Sequence, residues 1–137
     1  MSHHYRMASK ITLVRIRRTP HENINQELQW FGNSLGLFNL RDKDSSCFRV
    51  FITLVRKAKR NETISSDDIS DKLNLSRGTV VHHLTKLMNS GLVVREKGGY
   101  LLRSNNLSKV IRDIQRDVSA MFNELEDVAK EIDDKLG

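Results

Sequence analysis

The chain has 137 residues and a formal net charge of +6; 38% of the residues are hydrophobic, which suits one compact domain with an appendage and excludes two full domains. Its single cysteine, Cys47, excludes an intrachain disulfide and any zinc site with several cysteine ligands. The longest apolar stretch is too short to cross a membrane and no apolar signal region follows the start, so we expect a cytoplasmic protein without a membrane partner.

The charge is distributed unevenly along the chain. Residues 1–60 carry 12 Lys and Arg against 4 Asp and Glu, whereas residues 107–137 carry 5 against 8. The basic front favours a polyanionic partner, and the acidic tail favours a separate role for that segment. The same distribution also fits an ordinary solvated surface.

Residues 1–44 are predicted to form a basic N-terminal extension with one strand and one helix. The β-branched run at 11–17 (ITLVRIR) predicts the strand. Thr19 and Pro20 have the order of a helix cap and first helical residue, and Gly36 stands where that helix would end. The apolar face of the predicted helix consists of Ile24, Leu28, Phe31 and Leu35.

Two features of this extension leave alternatives open. Arg15, Arg17 and Arg18 fit either a DNA-contacting arm or the solvated edge of the strand. Trp30, Phe31 and Phe38 fit a ligand pocket, a second dimer surface, or additional core and interface. The last is favoured because aromatic residues at helical spacing usually pack.

Residues 45–105 are predicted to form the DNA-binding domain, with a helix-turn-helix at its centre. Ser66 is predicted to cap a short helix at 67–73, and Ser76 is predicted to cap a second one at 77–90, with a three-residue turn between the two. The residues of the second helix that are spaced to pack on the core are Val80, Leu84, Leu87 and Met88.

The second predicted helix has a polar side suited to DNA. The polar side chains outside its apolar spacing are Arg77, Thr79, His82, His83 and Lys86. A major groove admits a helix, and its base edges present acceptors that such side chains meet. Ser76 and the amides of the first turn, at the positive end of the helix dipole, suit a phosphate.

A β-hairpin wing is predicted directly after this helix. The β-prone runs 92–96 and 100–103 flank Lys97-Gly98-Gly99, where glycine supplies the positive φ of a tight turn. With a preceding helix over residues 46–60, the predicted fold is mainly α with a small β-hairpin wing, a winged helix-turn-helix. The wing residues expected to reach phosphates or a minor groove are Arg95, Lys97 and Arg103, whereas Tyr100 fits either a hydrogen bond to a phosphate or packing.

Residues 106–137 are predicted to form one coiled-coil dimerisation helix of about 45 Å. Its apolar residues are separated alternately by four and three positions, and they are Leu107, Ile111, Ile114, Val118, Met121, Leu125, Val128 and Ile132. A helix of this length cannot bury the whole stripe on so small a domain, so a second copy of the chain is the predicted partner. The alternative is that its first half packs on its own winged helix.

The segment LSRGTVVHHLTKL at residues 75–87, with SGLV at 90–93, resembles the recognition helix of the ArsR-like winged-helix transcriptional regulators. The resemblance extends over residues 46–104. It implies a homodimeric, sequence-specific DNA-binding repressor with its wing on flanking DNA. The DNA-facing residues that it implies are Ser76, Thr79, His82 and His83. The cysteine pair of the family's metalloregulators is absent, so metal sensing is not implied.

Other functions receive less support from the sequence. It contains no phosphate-cradling glycine loop, nucleophile elbow or carboxylate pair beside a histidine, so we expect neither an enzyme nor a cofactor. His82 and His83 point about 100° apart on a helix and cannot share one metal ion. Cys47 lies on an apolar face and is expected to be a buried structural thiol.

The expected partners are double-stranded DNA and a second copy of the chain, and the sequence does not identify a small-molecule effector. The main alternative is a winged-helix protein-interaction module of a larger assembly, whose DNA binding would be incidental or non-specific.

Overall fold

The computed structural model of the chain describes residues 7–18, 20, 22–38 and 45–137. This part contains helices α1 Ile24–Ser34, α2 Ser46–Ala58, α3 Ser66–Leu73 and α4 Arg77–Asn89, strands β1 Val93–Glu96 and β2 Gly99–Leu102, and helix α5 Leu107–Leu136. The order confirms the predicted winged helix-turn-helix followed by one long C-terminal helix.

The predicted strand at residues 11–17 is wrong. The described strands, β1 and β2, pair with each other, and no strand runs beside this segment in the described residues. Its backbone instead contacts α1, where the Val14 N–H donates to the Ser34 carbonyl at 2.7 Å. A β-branched composition favours an extended backbone, but a strand also needs a neighbouring strand to complete its hydrogen bonds.

Helix α1 begins later than predicted. The predicted start at Pro20 is wrong, because the helix starts at Ile24. The Asn23 side chain accepts a hydrogen bond from the Gln26 N–H at 2.9 Å and so caps the helix. Ile24, predicted to face the core, is 64% exposed. Thr19, the predicted cap, lies outside the described residues.

The end of α1 and the rest of its apolar face agree with the prediction. Gly36 follows the helix with a φ of 66°, a left-handed conformation that favours glycine. Leu35 is buried, and Leu28 and Phe31 pack partly against the core. The Phe31 ring stacks on that of Phe51 in α2, with 6.0 Å between the ring centroids.

The core lies where α2, α3, α4 and the hairpin meet. Its fully buried side chains include Val50, Phe51, Leu54, Ile69, Val80, Leu84, Leu87, Leu92 and Val110. Each such side chain contributes about 1.5–3 kcal/mol relative to an exposed one. Cys47 is also buried, as predicted.

The hairpin forms the predicted wing with a two-residue turn. β1 and β2 are antiparallel, with Glu96 opposite Gly99. Lys97 and Gly98 both have positive φ, at 49° and 78°, the combination of the tight turn that suits twisted strands. Outside the two strands, Ile64 forms one isolated antiparallel bridge with Tyr100.

Helix α5 has two halves with different surroundings. Val110 and Ile114 in the first half are buried against the same chain's winged helix. From Phe122 onward every residue of the helix is exposed. The first half therefore packs on its own domain, and the second half extends away from it.

A buried ion pair joins α5 to the end of the wing. Two nitrogens of the Arg103 guanidinium donate to the two Asp117 carboxylate oxygens, at 2.5 and 3.1 Å. The side chains are only 7% and 3% exposed. The Ala8 N–H donates to the same carboxylate at 2.8 Å, so the N-terminal segment is attached there as well. Arg103, predicted to reach DNA, is turned into the fold instead.

These contacts place the pKa of Asp117 below its ordinary value of 3.8. Burial by itself would raise this pKa, but the hydrogen bond from Arg103, the Ala8 N–H and the charges of Arg103 and Arg116 together lower it by more. The folded protein therefore holds this carboxylate in its charged form.

Replacing Asp117 with Asn should lower the free energy of unfolding at neutral pH by about 3 kcal/mol, because the buried Arg103 guanidinium loses its carboxylate. Urea unfolding followed by circular dichroism measures this. Asp127→Asn, on the exposed half of α5, is the control and should change little.

The same pair of proteins tests the pKa. Because the folded pKa of Asp117 lies below the unfolded one, its stabilisation is present above pH 3.8 and is lost as the pH falls through the lower folded value. The stability difference between wild type and Asp117→Asn should therefore shrink in strong acid. A difference independent of pH would contradict this account.

Candidate nucleic-acid interface

Hydrogen bonds around the turn fix how α3 and α4 meet. The cap of α3 is the Ser65 side chain, which accepts from the Asp68 N–H at 3.0 Å, so the predicted cap at Ser66 is wrong. Asn74 ends α3 with a φ of 55°. The Leu75 N–H donates to the Ser70 carbonyl at 3.1 Å, and the Ser70 hydroxyl donates back to the Leu75 carbonyl. The Arg49 side chain of α2 donates to the Leu73 carbonyl. The orientation of α4 is thus set by α2 and α3 together.

The first turn of α4 is capped and open. The Ser76 hydroxyl accepts from the Thr79 N–H at 3.1 Å and donates to the Thr79 hydroxyl at 2.8 Å, which confirms the predicted cap. A Cβ built on Gly78 would meet nothing within 4 Å. The Arg77 side chain is 72% exposed, with its Nε 3.4 Å from Asp67. The Arg77 cation and the open space at Gly78 therefore coincide at the positive end of this helix.

The outward side of α4 is a continuous face. We call it the recognition face, and its exposed residues are Arg77, Gly78, Val81, His82, Thr85 and Asn89. Sequence reasoning missed Thr85 and Asn89. Their spacing of three and seven residues after His82 was the available signal, since such residues share one helix face.

Two predicted DNA contacts lie on the flank of α4 and are held by the same chain. His83 Nε2 is 2.7 Å from the hydroxyl of Ser46, at the start of α2. The Lys86 ammonium donates to the Leu37 carbonyl at 2.9 Å. Both side chains are half-buried. Thr79, also half-buried, is engaged with the Ser76 cap, so of the predicted polar side chains on α4 only Arg77 and His82 are exposed.

The wing presents fewer cations than predicted. Lys97 stands exposed at its tip, and Arg95 is exposed with its guanidinium carbon 5.6 Å from the centre of the Tyr100 ring. Tyr100 is 7% exposed, so its ring is part of the core. With Arg103 in the buried ion pair, Arg95 and Lys97 are the predicted wing residues that face solvent.

The predicted dimerisation residues fall into two groups. Ile114 is buried in its own domain, and the half-buried members beside it are Leu107, Ile111, Val118 and Met121. The exposed apolar residues of the second half form what we call the tail stripe: Phe122, Leu125, Val128, Ile132 and Leu136. Phe122 and Leu136 were missed, although each lies three or four positions from a predicted member.

Other kinds of site have no counterpart in the described ranges. Across these residues, no three His, Cys, Asp or Glu side chains are grouped so as to hold a metal ion. None of the described helices is long and apolar enough to span a membrane.

Residues 58–94 match the family described as "Bacterial regulatory protein, arsR family". The match begins at the last residue of α2 and covers α3, the turn and α4. The chain carries an ArsR-like helix-turn-helix. This ArsR-like unit is a DNA-binding element of transcription regulators, so double-stranded DNA is the partner class that the match supports. Searches of curated proteins and of solved structures gave no match.

Replacing Ser76 with Ala should lower the free energy of unfolding by about 1 kcal/mol, because the Thr79 N–H loses its capping acceptor. Ser76→Asp should keep wild-type stability, since Asp caps helices as well as Ser does. Urea unfolding compares the three proteins, and equal stability of the Ala variant and wild type would show that the cap is not used.

Proposed function

We propose that the chain is a sequence-specific repressor of transcription that binds double-stranded DNA as a homodimer. The observation that supports this most is the recognition face, six exposed residues on the second helix of an ArsR-like helix-turn-helix. The repressor part of the proposal follows from the ArsR resemblance. In this proposal residues 45–105 bind DNA and residues 106–137 dimerise, with residues 1–44 as an added extension.

The recognition face suits the major groove. This groove, about 12 Å wide, admits an α-helix and exposes base-edge donors and acceptors. Asn89 and His82 carry groups that pair with purine edges, and Val81 suits a thymine methyl group. Gly78 has no side chain and lets the helix backbone approach the DNA closely.

Phosphate contacts would come from both sides of this face. The Ser76 cap and the amides behind it suit one phosphate, and Arg77 suits a neighbouring one. The exposed ion pair of Arg77 with Asp67 contributes only about 0–1 kcal/mol, so a phosphate can replace the carboxylate. Arg95 and Lys97 on the wing supply further cations for flanking DNA. Thr79, His83 and Lys86 position α4 in this proposal and do not read bases.

The tail stripe supports the homodimer. Its five residues lie within about a third of the helix circumference, and such a continuous exposed apolar surface marks an interaction site. The remaining sides of this half carry mostly polar and charged residues such as Glu126 and Lys130, which stay in water. Two copies that join through this stripe would bring two recognition faces to one duplex, with half-sites about 34 Å apart.

Arg77→Ala should weaken binding to a duplex selected from a random pool about tenfold, because a phosphate loses its cation. Ser76→Asp should weaken it as well, since it keeps the helix cap but puts an anion where a phosphate would lie. Fluorescence anisotropy measures both dissociation constants, and Arg112→Ala on α5 is the matched control.

Wild-type affinity should also fall steeply as the salt concentration rises. Affinity that does not respond to salt would contradict a phosphate-contacting interface. Weak binding without sequence preference would favour the protein-interaction module instead.

Replacing Leu125 and Val128 together with Glu should convert a dimer into a monomer, because charges would interrupt the tail stripe. Both side chains are exposed in the single chain, so the fold should persist. Sedimentation equilibrium measures the mass, and Glu126→Gln on another side of the helix is the control. A wild-type chain that stays monomeric at micromolar concentration would contradict the proposal.

A further inference from the structure

The N-terminal arm, residues 7–18, is attached to the far end of the recognition helix. The Ser9 and Lys10 N–H groups donate to the Asn89 carbonyl, at 2.9 and 3.0 Å. Just before them Ala8 is 3% exposed, and its N–H is bound to the Asp117 carboxylate. The arm therefore starts beside the last residue of the recognition face, from an anchored position.

From that anchor the arm follows the C-terminal part of α1. The Val14 N–H donates to the Ser34 carbonyl, and the Trp30 indole N–H donates to the Ile16 carbonyl at 3.3 Å. A Cβ added to Gly36 would lie 2.7 Å from the side chain of Thr12. The extended backbone of the arm is thus held at several points along its length.

The end of α1, which the arm passes, also contacts one flank of α4. The Lys86 ammonium, one turn after His82, donates to the carbonyl of Leu37, which directly follows the end of α1. The arm passes that same end, at Ser34 and Gly36. The arm and the Lys86 flank of α4 therefore meet at the end of α1, and the arm begins beside Asn89, the last residue of the recognition face.

The arm carries a concentrated positive charge. Its cations are all exposed, and they are Lys10, Arg15, Arg17 and Arg18. The sequence between residues 7 and 18 contains no Asp or Glu. The Arg18 guanidinium carbon lies 6.0 Å from the centre of the Trp30 ring, a contact that limits its mobility. Exposed arginines held on an ordered backbone suit the regular phosphates of a duplex.

We propose that this arm is a second DNA contact, which binds the phosphate backbone beside the major groove that α4 occupies. The proposal rests on the proposed function of α4 and adds a surface outside the helix-turn-helix and the wing. Phosphate contacts carry no base information, so the arm strengthens binding to every duplex equally. Duplex DNA is favoured over single strands, which need exposed aromatic rings to stack bases, whereas the arm's neighbouring Trp30 is half-buried.

The test compares two triple variants with the same reduction in positive charge. Arg15, Arg17 and Arg18 are replaced with Gln in one, and Lys109, Arg112 and Lys130 on α5, away from the tail stripe, are replaced with Gln in the other. All six side chains are exposed, and the arm is anchored through backbone N–H groups, so both variants should unfold like wild type. Dissociation constants are measured for the selected duplex and an unrelated one, between about 50 and 200 mM salt.

The arm variant should weaken binding to both duplexes by the same factor, at least about tenfold at low salt. The slope of log affinity against log salt should fall by about 0.9 for each phosphate that the arm variant no longer neutralises, and the α5 variant should keep the wild-type slope. Equal slopes in the two variants would overturn the proposal.

Two controls separate this proposal from the proposed function. Suppose that wild type binds duplex DNA and that Arg77→Ala weakens this binding. An arm variant with the same dissociation constant and salt slope as the α5 variant then overturns the arm contact alone. If wild type binds no duplex, both proposals fail. Binding of wild type to phosphatidylserine vesicles that disappears in the arm variant, with duplex binding unchanged, would assign the arm to a membrane surface and overturn it as a DNA contact.

Discussion

Asp117 joins the N-terminal arm, the wing and the long helix at one buried point. A buried carboxylate costs several kcal/mol unless it is paired and hydrogen-bonded, and here the Arg103 guanidinium and the Ala8 N–H meet that requirement. The three groups come from three separate segments, and their hydrogen bonds form only when these segments are in one relative arrangement. The ion pair therefore sets the direction in which α5 leaves the domain. It also sets where the arm begins relative to α4.

Helix α4 has three sides with different roles. Val80, Leu84 and Leu87 form the buried side that packs on the core. His83 and Lys86 form a flank that is held by α2 and by the end of α1. The remaining side is the recognition face, which is exposed to solvent because the other two sides make the contacts with the rest of the chain. A helix held on two sides is rigid, and a rigid helix can place side chains in a groove without a large loss of conformational entropy.

The apolar repeat of helix α5 is packed on the domain in its first half and exposed in its second half. The half-buried positions before Phe122 lie against the winged helix of the same chain, and the exposed positions after it form the tail stripe. The repeat passes from one half to the other without a break, so a partner on the tail stripe would continue the packing of the domain. In the proposed dimer the two recognition faces are then connected through helices anchored at Asp117.

The sequence by itself determined the elements whose causes are local: the Ser76 cap, the end of α1 at Gly36, the hairpin turn at Gly98 and the apolar spacing of α4. Neighbouring residues interact whatever the rest of the chain does, so these were predictable. Only the tertiary structure decided which polar side chains face solvent, because their partners are distant in sequence. His83 meets Ser46 across 37 residues, Lys86 meets Leu37 across 49, and Ala8 meets Asp117 across 109. The segment at residues 11–17 likewise had the composition of a strand but no strand beside it, and pairing is a property of the whole fold.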